Sequence, residues 1–336
     1  MKKALTITFG LGVAAILGYW VVLDGKPGAS DAPRPQASCS DAGEHAGMVW
    51  VEGGSFTRGS ADHYPEEGPP GEIEVDGFWI DRFEVTNTRF SEFVDATGYV
   101  TSAERQPDPK DFPGIDPTLL QPGSVVFIMP TGEAGQLTQW WRFVPGAYWR
   151  EPAGPGSTIE GRDEYPVVHV TYQDALAFAE WLGHDLPTEA QWEYAARGGL
   201  DQAAFAWGNE YLVGGEHQAN TWQGLFPAAN SNEDRFQAAA PVGCFPANGY
   251  GLYDMIGNVW EWVGDWYYPS HDTQQGSAGE KGYDPRQPGV AVKVIKGGSY
   301  LCAENYCRRY RPAARHAQET TLGAAHIGFR TVKNEN

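Results

Sequence analysis

A chain of 336 residues, 41% hydrophobic and 13% aromatic, can bury a sizeable core, which excludes wholesale disorder. Its formal net charge of −19 repels phosphate backbones and anionic lipid headgroups, so nucleic acid is excluded as a partner. The 42 glycines and 24 prolines, spread along the chain, predict many turns, long ordered loops and an irregular α+β domain.

The first segment, MKKALTITFGLGVAAILGYWVVLDGK, sets two lysines before an uncharged apolar run from Ala4 to Leu23. About 20 such residues span a bilayer as a helix, with the leading lysines kept in the cytoplasm. Tyr19 and Trp20 stand where an interfacial belt belongs, and a cleavage site after Gly28-Ala29-Ser30 is the alternative. Residues 1–23 are therefore expected to be a signal peptide or a membrane anchor. Either one exports the body, to the periplasm or to the outer face of the cytoplasmic membrane. Residues 24–47, rich in Pro, Ala, Gly and Ser, predict a flexible spacer that contains Cys39.

From Met48 to residue 333 the chain reads as one domain. MVWVEGGSFTRGS predicts a strand and hairpin, and GEIEVDGFWIDRFEVTN a further strand. TNTRFSEFVDATGY predicts a helix capped by Thr86 or Asn87, with Phe90, Phe93 and Val94 at helical spacing. Residues 105–165 read as loop, with Trp-rich patches QWWRFV and GAYWREPAGPGS. TYQDALAFAEWLG predicts a second helix, burying Ala175, Phe178, Ala179 and Leu182. PTEAQWEYAARGG predicts a third, opened at Pro187-Thr188 and closed by Gly198-Gly199. Beyond Phe205 the pattern is aromatic, glycine-rich and dominated by turns.

Two of the four cysteines, Cys302 and Cys307, lie five positions apart in KGGSYLCAENYCRRYRPAAR. On a helix that spacing separates their side chains by roughly 140°. On a strand it puts them on opposite faces. Only a turn or loop brings both sulfurs together. A loop disulfide is the plain reading in an exported protein. Structural zinc lacks the other ligands it requires, whereas two converging thiolates suit a soft, low-coordinate ion such as Cu(I). Arg308, Arg309 and Arg311 would favour thiolate over thiol. Spacing alone leaves disulfide and metal site open.

Two loops carry carboxylates. In GYGLYDMIGNVWEWVGDWY, Asp254, Gly257, Val259 and Glu261 could wrap a hard cation with carboxylates at each end and carbonyls between. In ANTWQGLFPAANSNEDRF, Asn220 and Asp234 with carbonyls at Thr221 and Phe236 offer a similar set. Solvated acids on core loops are the plainer reading of both. The eight histidines are scattered without an H-x-x-x-H pair, and His169, in PVVHVTY, reads as a core histidine. No G-x-S-x-G elbow, P-loop or dinucleotide fingerprint is present.

Taken together, DRFEVTNTRFSEFVDATGY, PVVHVTYQDALAFAEWLGHDLPTEAQWEYAARGG, FAWGNE, NTWQGLFP, PVGCFPANGYGLYDMIGNVWEW, KGGSYLCAENYC and GFRTV resemble the formylglycine-generating enzymes, or sulfatase-modifying factors. Most of these segments recur across a broader superfamily; GGSYLCAENYCRRYR marks the formylglycine generators. The resemblance implies a loop-rich α+β fold similar to C-type lectin folds. It implies two calcium ions, one at Asn220, Thr221, Asp234 and Phe236, the other at Asp254, Gly257, Val259 and Glu261. It further implies Cu(I) held by Cys302 and Cys307, with Ser299, Tyr306 and Trp260 in the pocket around it. Trp149 and Arg150 are candidates for a peptide groove. The implied reaction converts the cysteine of a C-x-P-x-R motif, in an unfolded sulfatase polypeptide, to Cα-formylglycine with O₂ and a thiol reductant. The expected protein is a monomer that meets the membrane only through its N-terminal segment. A non-catalytic or maturation-accessory protein of the same fold, with Cys302–Cys307 as a structural disulfide, is the alternative. Two disulfides of animal members are absent: the matching positions are Ala179 with Thr331 and Ala196 with Pro312. Cys244 has no assigned counterpart and is expected to be a buried free thiol.

Overall fold

The computed structural model describes residues 47–111, 116, 120–130, 140–272 and 281–335; the apolar run, the spacer and Cys39 lie outside them. Four short strands come first: Met48–Val51 (β1), Gly54–Arg58 (β2), Gly71–Val75 (β3) and Phe78–Asp81 (β4). The expected hairpin between β1 and β2 does not form. Instead β1 pairs antiparallel with β4, and β2 with β3. A side chain on Gly53 would meet the Gly77 backbone nitrogen at 2.7 Å, and one on Gly77 would meet the Trp50 ring at 2.5 Å. The two turns pack against each other, so the strands divide between two sheets.

Thr86 caps Asn87–Thr97 (α1) by accepting the Arg89 N–H, and Gly98, at φ 68°, ends it. The loop expected across 105–165 is interrupted by an antiparallel pair, Gly123–Phe127 (β5) with Trp141–Pro145 (β6). Tyr172–Leu182 (α2) and Glu189–Arg197 (α3) both open on capping boxes, Thr171 with Asp174 and Thr188 with Gln191. The first two helices keep the apolar faces their spacing predicts. Phe90 and Phe93 of α1 meet Phe178 of α2, with Phe329 and Trp149 closing the aromatic core.

After a two-residue ribbon, Leu212–Val213 (β7) and Glu216–His217 (β8), the turn-rich reading holds only to residue 259. Trp260–Trp266 (β9), Val292–Lys296 (β10), Arg315–Glu319 (β11) and Ile327–Gly328 (β12) form a four-stranded sheet in the order β11-β10-β9-β12. The β12–β9 pair is parallel and the others antiparallel. Every residue of β10 is buried, including Lys293 and Lys296. Lys296 survives there because Glu193 and Glu189 lie 3.2 and 3.6 Å from its Nζ. The last strand, Val332–Asn334 (β13), returns to pair with β4 and joins the end of the domain to its start. Among the described residues no helix is long and apolar enough to cross a membrane.

Candidate active site

The outer face of the four-stranded sheet floors a cavity of about 380 Å³. His316 and Gln318 reach it from alternate positions of β11, Ile295 from β10, Trp260 from β9, and His326 from the residue before β12. β5 and β6 supply a side wall through Val125 and Trp141. The roof is the segment after β10.

That roof begins with Gly297 and Gly298, at φ 92° and 77°. A side chain on Gly298 would meet the Arg309 backbone at 3.0 Å, so the outgoing and returning limbs touch here. Between them the chain turns twice. Cys302 N–H donates to Ser299 O at 2.8 Å, and Cys307 N–H to Ala303 O at 3.1 Å. This turn does what neither helix nor strand could: it brings the Cys302 and Cys307 Cα atoms to 4.5 Å, and the sulfurs are bonded. In the reduced pair the two thiols differ. Burial, with Cys307 beside it, pushes the Cys302 thiol up, while the hydrogen bond from Cys302 and the charge of Arg309 hold the Cys307 thiol down. Cys307 is thus the more acidic of the two thiols.

Ser299, Trp260 and Tyr306, expected around the cysteines, all line the cavity. Tyr306 is 49% exposed, stacks on Phe226 at 4.3 Å and stands edge-on to Trp140 at 5.7 Å. Asn305 fixes this platform by exchanging hydrogen bonds with the Phe226 backbone. Trp149 and Arg150 are elsewhere. Trp149 is 1% exposed against Phe90, Arg150 stacks on it at 4.1 Å, and neither lines the cavity. Trp149 is thus a core residue, while the Arg150 side chain over it stays partly exposed.

The three arginines also separate. Arg311 is held by both carboxylate oxygens of Glu67, Arg308 is exposed, and Arg309 alone lines the cavity. The partners come from Pro65–Glu67, a single turn of 3₁₀ helix laid across the cysteine loop. Tyr64, just before it, accepts the Arg308 N–H through its hydroxyl and carries Arg309 on its ring.

The histidines of the cavity were not legible as a cluster. His326 lies against Trp141 at 4.5 Å and His316 faces Trp260 at 5.8 Å. Burial drives His316 down to about 4 and His326 down to about 3, so both rings are neutral. The Nδ1 atom of each is buried without a partner. His169, behind the wall, meets the Ser124 hydroxyl through Nδ1 at 2.8 Å. Alternation along β11 and one residue of parallel pairing bring these rings together, and neither shows in sequence spacing.

The two carboxylate loops touch. Asn258 N–H donates to Asn220 O at 2.9 Å, and a side chain on Gly257 would strike that same oxygen at 2.3 Å. Asp234 accepts the Thr221 and Phe236 N–H groups at 3.0 and 2.9 Å, which folds the first loop around its carboxylate. In the second, Asp254 accepts the Gly243 N–H, and Glu261 is gripped by Arg330 and Trp192. Glu84, missed by sequence reasoning, completes a buried trio by accepting from Asn258 Nδ2 at 3.1 Å. Asn232, Arg235, Asp254 and Asn258 all have positive φ, a strain concentrated on these two loops. Among the described residues no group of three or more His, Cys, Asp or Glu is arranged to hold a metal ion by itself. Any cation here would need the carbonyl and amide oxygens as well. Cys244 is half-buried rather than fully buried.

A cysteine pair over a cavity, on a loop-rich α+β scaffold, invites comparison with known proteins. The family model described as "Sulfatase-modifying factor enzyme 1-like domain" matches residues 34–335. The chain belongs to this sulfatase-modifying factor family. The formylglycine-generating enzyme of Mycobacterium tuberculosis is 49% identical over 291 residues, which cover 85% of this chain and 97% of that one. A mouse family member named an inactive Cα-formylglycine-generating enzyme 2 is 38% identical, over 85% of each chain. Among solved structures, PvdO from Pseudomonas aeruginosa superposes with a TM-score of 0.58 at 24% identity, covering 86% of this chain and 94% of that one. The likeness to PvdO concerns the fold alone. The sulfatase-modifying factor family therefore contains relatives named active and inactive at similar distances, and the site must distinguish them.

Proposed function

We propose that this protein converts the cysteine of a C-x-P-x-R motif, in an unfolded sulfatase polypeptide, to Cα-formylglycine, with Cu(I) and O₂. The observation that carries the reading is the juxtaposition of Cys302 and Cys307 at the wall of a cavity open to an aromatic platform. A lone structural staple has no need of that cavity.

The donor set fits the metal. Two sulfurs brought together by a turn, one thiol more acidic than the other, suit a soft ion of low coordination number. Cys302 and Cys307 would hold it, and when bound it supplies the redox chemistry that activates O₂. The chain's own residues do the rest. Tyr306, backed by Phe226 and Trp140, presents a flat apolar face to a peptide that includes proline. Trp260 and Ile295 exclude water from the cavity floor. Ser299 lies in the wall with its hydroxyl accepting the Leu301 N–H at 3.3 Å, which leaves its own proton free to donate to a bound sulfur or oxygen. Oxidation of CH₂–SH to the thioaldehyde removes two electrons and two protons. Reduction of O₂ to two waters takes four electrons, so a thiol reductant supplies the other two. Hydrolysis of the thioaldehyde then yields the aldehyde and H₂S.

Calcium is proposed at both strained loops, through Asn220, Thr221, Asp234 and Phe236, and through Asp254, Gly257, Val259 and Glu261. Residues 1–23 are proposed to export the domain at 48–333, as a monomer, so its sulfatase clients cross the membrane unfolded.

The test is direct. The reduced full chain, loaded with Cu(I), is incubated in air with reductant and a C-x-P-x-R peptide, and the product is weighed. Conversion removes about 18 Da, as sulfur and two hydrogens give way to oxygen. An unchanged peptide with copper fully loaded would sink the proposal. The second reading, a binding module stapled by the Cys302–Cys307 bond, predicts that Cys302→Ser and Cys307→Ser preserve function; the oxidase loses it in both.

A further inference from the structure

The cavity wall carries one cation and hides its counter-ion. Among the described residues, Arg309 is the lysine or arginine that lines the cavity. Its guanidinium lies over the Tyr64 ring, 3.8 Å from the centroid, and Nη2 donates to Glu66 Oε1. Glu66 itself does not line the cavity, and Glu67 is occupied by Arg311. The uncharged polar groups of the wall are Ser299, Tyr306, His316, Gln318 and His326, while the Cys307 sulfur lies within reach of the Arg309 guanidinium. The Arg309 Nε–H, buried, makes no hydrogen bond. A charged donor thus stands beside the cysteines with part of its capacity unused.

We propose that Arg309 is a specificity-determining residue that selects a thiolate: it offsets the charge that the sulfur of a substrate cysteine carries into the cavity. The inference rests on the formylglycine reading and adds to it the form in which the substrate is recognised. An anion entering a poorly solvated cavity beside a cysteine sulfur is strongly opposed unless a cation stands nearby. Arginine suits the task because its guanidinium cannot give up its proton there. The Tyr64 ring and Glu66 hold it in place beforehand, so little side-chain freedom is lost when the peptide binds. The neutral histidines on the floor add no second cation, so the Arg309 charge, shared with Glu66 and Cys307, is what the wall offers an entering anion.

The experiment compares two labelled peptides that differ in one atom, C-x-P-x-R and S-x-P-x-R. Binding is measured by fluorescence anisotropy to the reduced, Cu(I)-loaded full chain under nitrogen, where no turnover follows. Wild type is expected to prefer the cysteine peptide. Arg309→Gln should weaken cysteine-peptide binding about tenfold, the order expected for losing a hydrogen bond to a charged group, and leave serine-peptide binding within a factor of about two. Arg309→Lys should restore most of the preference. Serine-peptide affinity also reports whether each variant is folded. Equal weakening of both peptides, or of neither, overturns the assignment. Failure of wild type to convert the cysteine peptide in air overturns the functional reading instead, and the two failures are distinguishable.

Discussion

Arg330 grips both carboxylate oxygens of Glu261 at 2.7 Å, and both side chains are buried. It is one cation among three acids, because Glu84 and Asp254 feel the same charges. Burial, with Asp254 and Glu261 nearby, pushes Glu84 well up, and burial pushes Asp254 up to about 6. An acid whose folded pKa is raised binds its proton more tightly when folded. Its contribution is therefore present at low pH and lost as pH rises from 3.8 through about 6. Chelated protein should lose about 2 kcal/mol of stability between pH 5 and 7.5, and calcium should restore it. Melting curves with calcium or EGTA across that range decide the matter; a flat chelated profile would refute it, and Glu84→Gln should shrink the slope.

Glu189 behaves in the opposite sense. Burial alone would raise it, but Arg315 and Lys296 outweigh burial and pull it down to about 2. The stability it supplies is present above its ordinary value of 4.5 and lost as pH falls toward 2. Glu189→Gln strands Arg315, whose Nε and Nη2 both bond that carboxylate. The expected loss is about 3–5 kcal/mol in urea denaturation at neutral pH, with a shallower acid limb.

His326→Leu keeps an apolar side chain against Trp141 but removes the ring nitrogens from the cavity. The expected result is a loss of about tenfold in kcat/KM for the peptide with unchanged melting temperature. Burial holds the cavity histidines down at about 4 and about 3, so neither should contribute a limb to the pH–rate profile between pH 6 and 9. A limb abolished by His316→Leu or His326→Leu would show that one of them titrates during turnover.

Tyr306→Ala removes the exposed ring that stacks on Phe226, whereas Tyr306→Phe retains it. KM should rise about tenfold in the first and stay within about twofold in the second, an effect on the order of one aromatic contact. An equal loss in both would assign the role to the hydroxyl instead.

The helices were legible because each is a local event. Thr86, Thr171 and Thr188 announce their starts, Gly98, Gly183 and Gly198 their ends, and the apolar spacing between them fixes the buried face. The cysteine pair was legible too, down to the need for a turn. The four-stranded sheet was not. β9 to β12 are short, lie as far apart as residues 260 and 328, and two of their lysines are buried where sequence predicts exposure. Lys296 is tolerated only through Glu189 and Glu193 on α3, a pairing that no local pattern encodes. The burial of Trp149 was not legible either, because an aromatic beside an arginine looks the same in a core as on a surface. Glu84 went unnoticed because its partners are Asn258 and Val259, far along the chain.

The strap across the cysteine loop has a consequence for the order of folding. Glu67 and Arg311 are separated by 244 positions, so their contact closes one of the longest loops the chain can make. The turn carrying Cys302 and Cys307 is local, yet its clamp belongs to the opposite end of the domain. A chain still emerging at residue 300 holds the strap without the sulfurs. The clamp on the thiol pair is therefore set only at the close of folding, so protection of this turn becomes a reporter of the finished architecture.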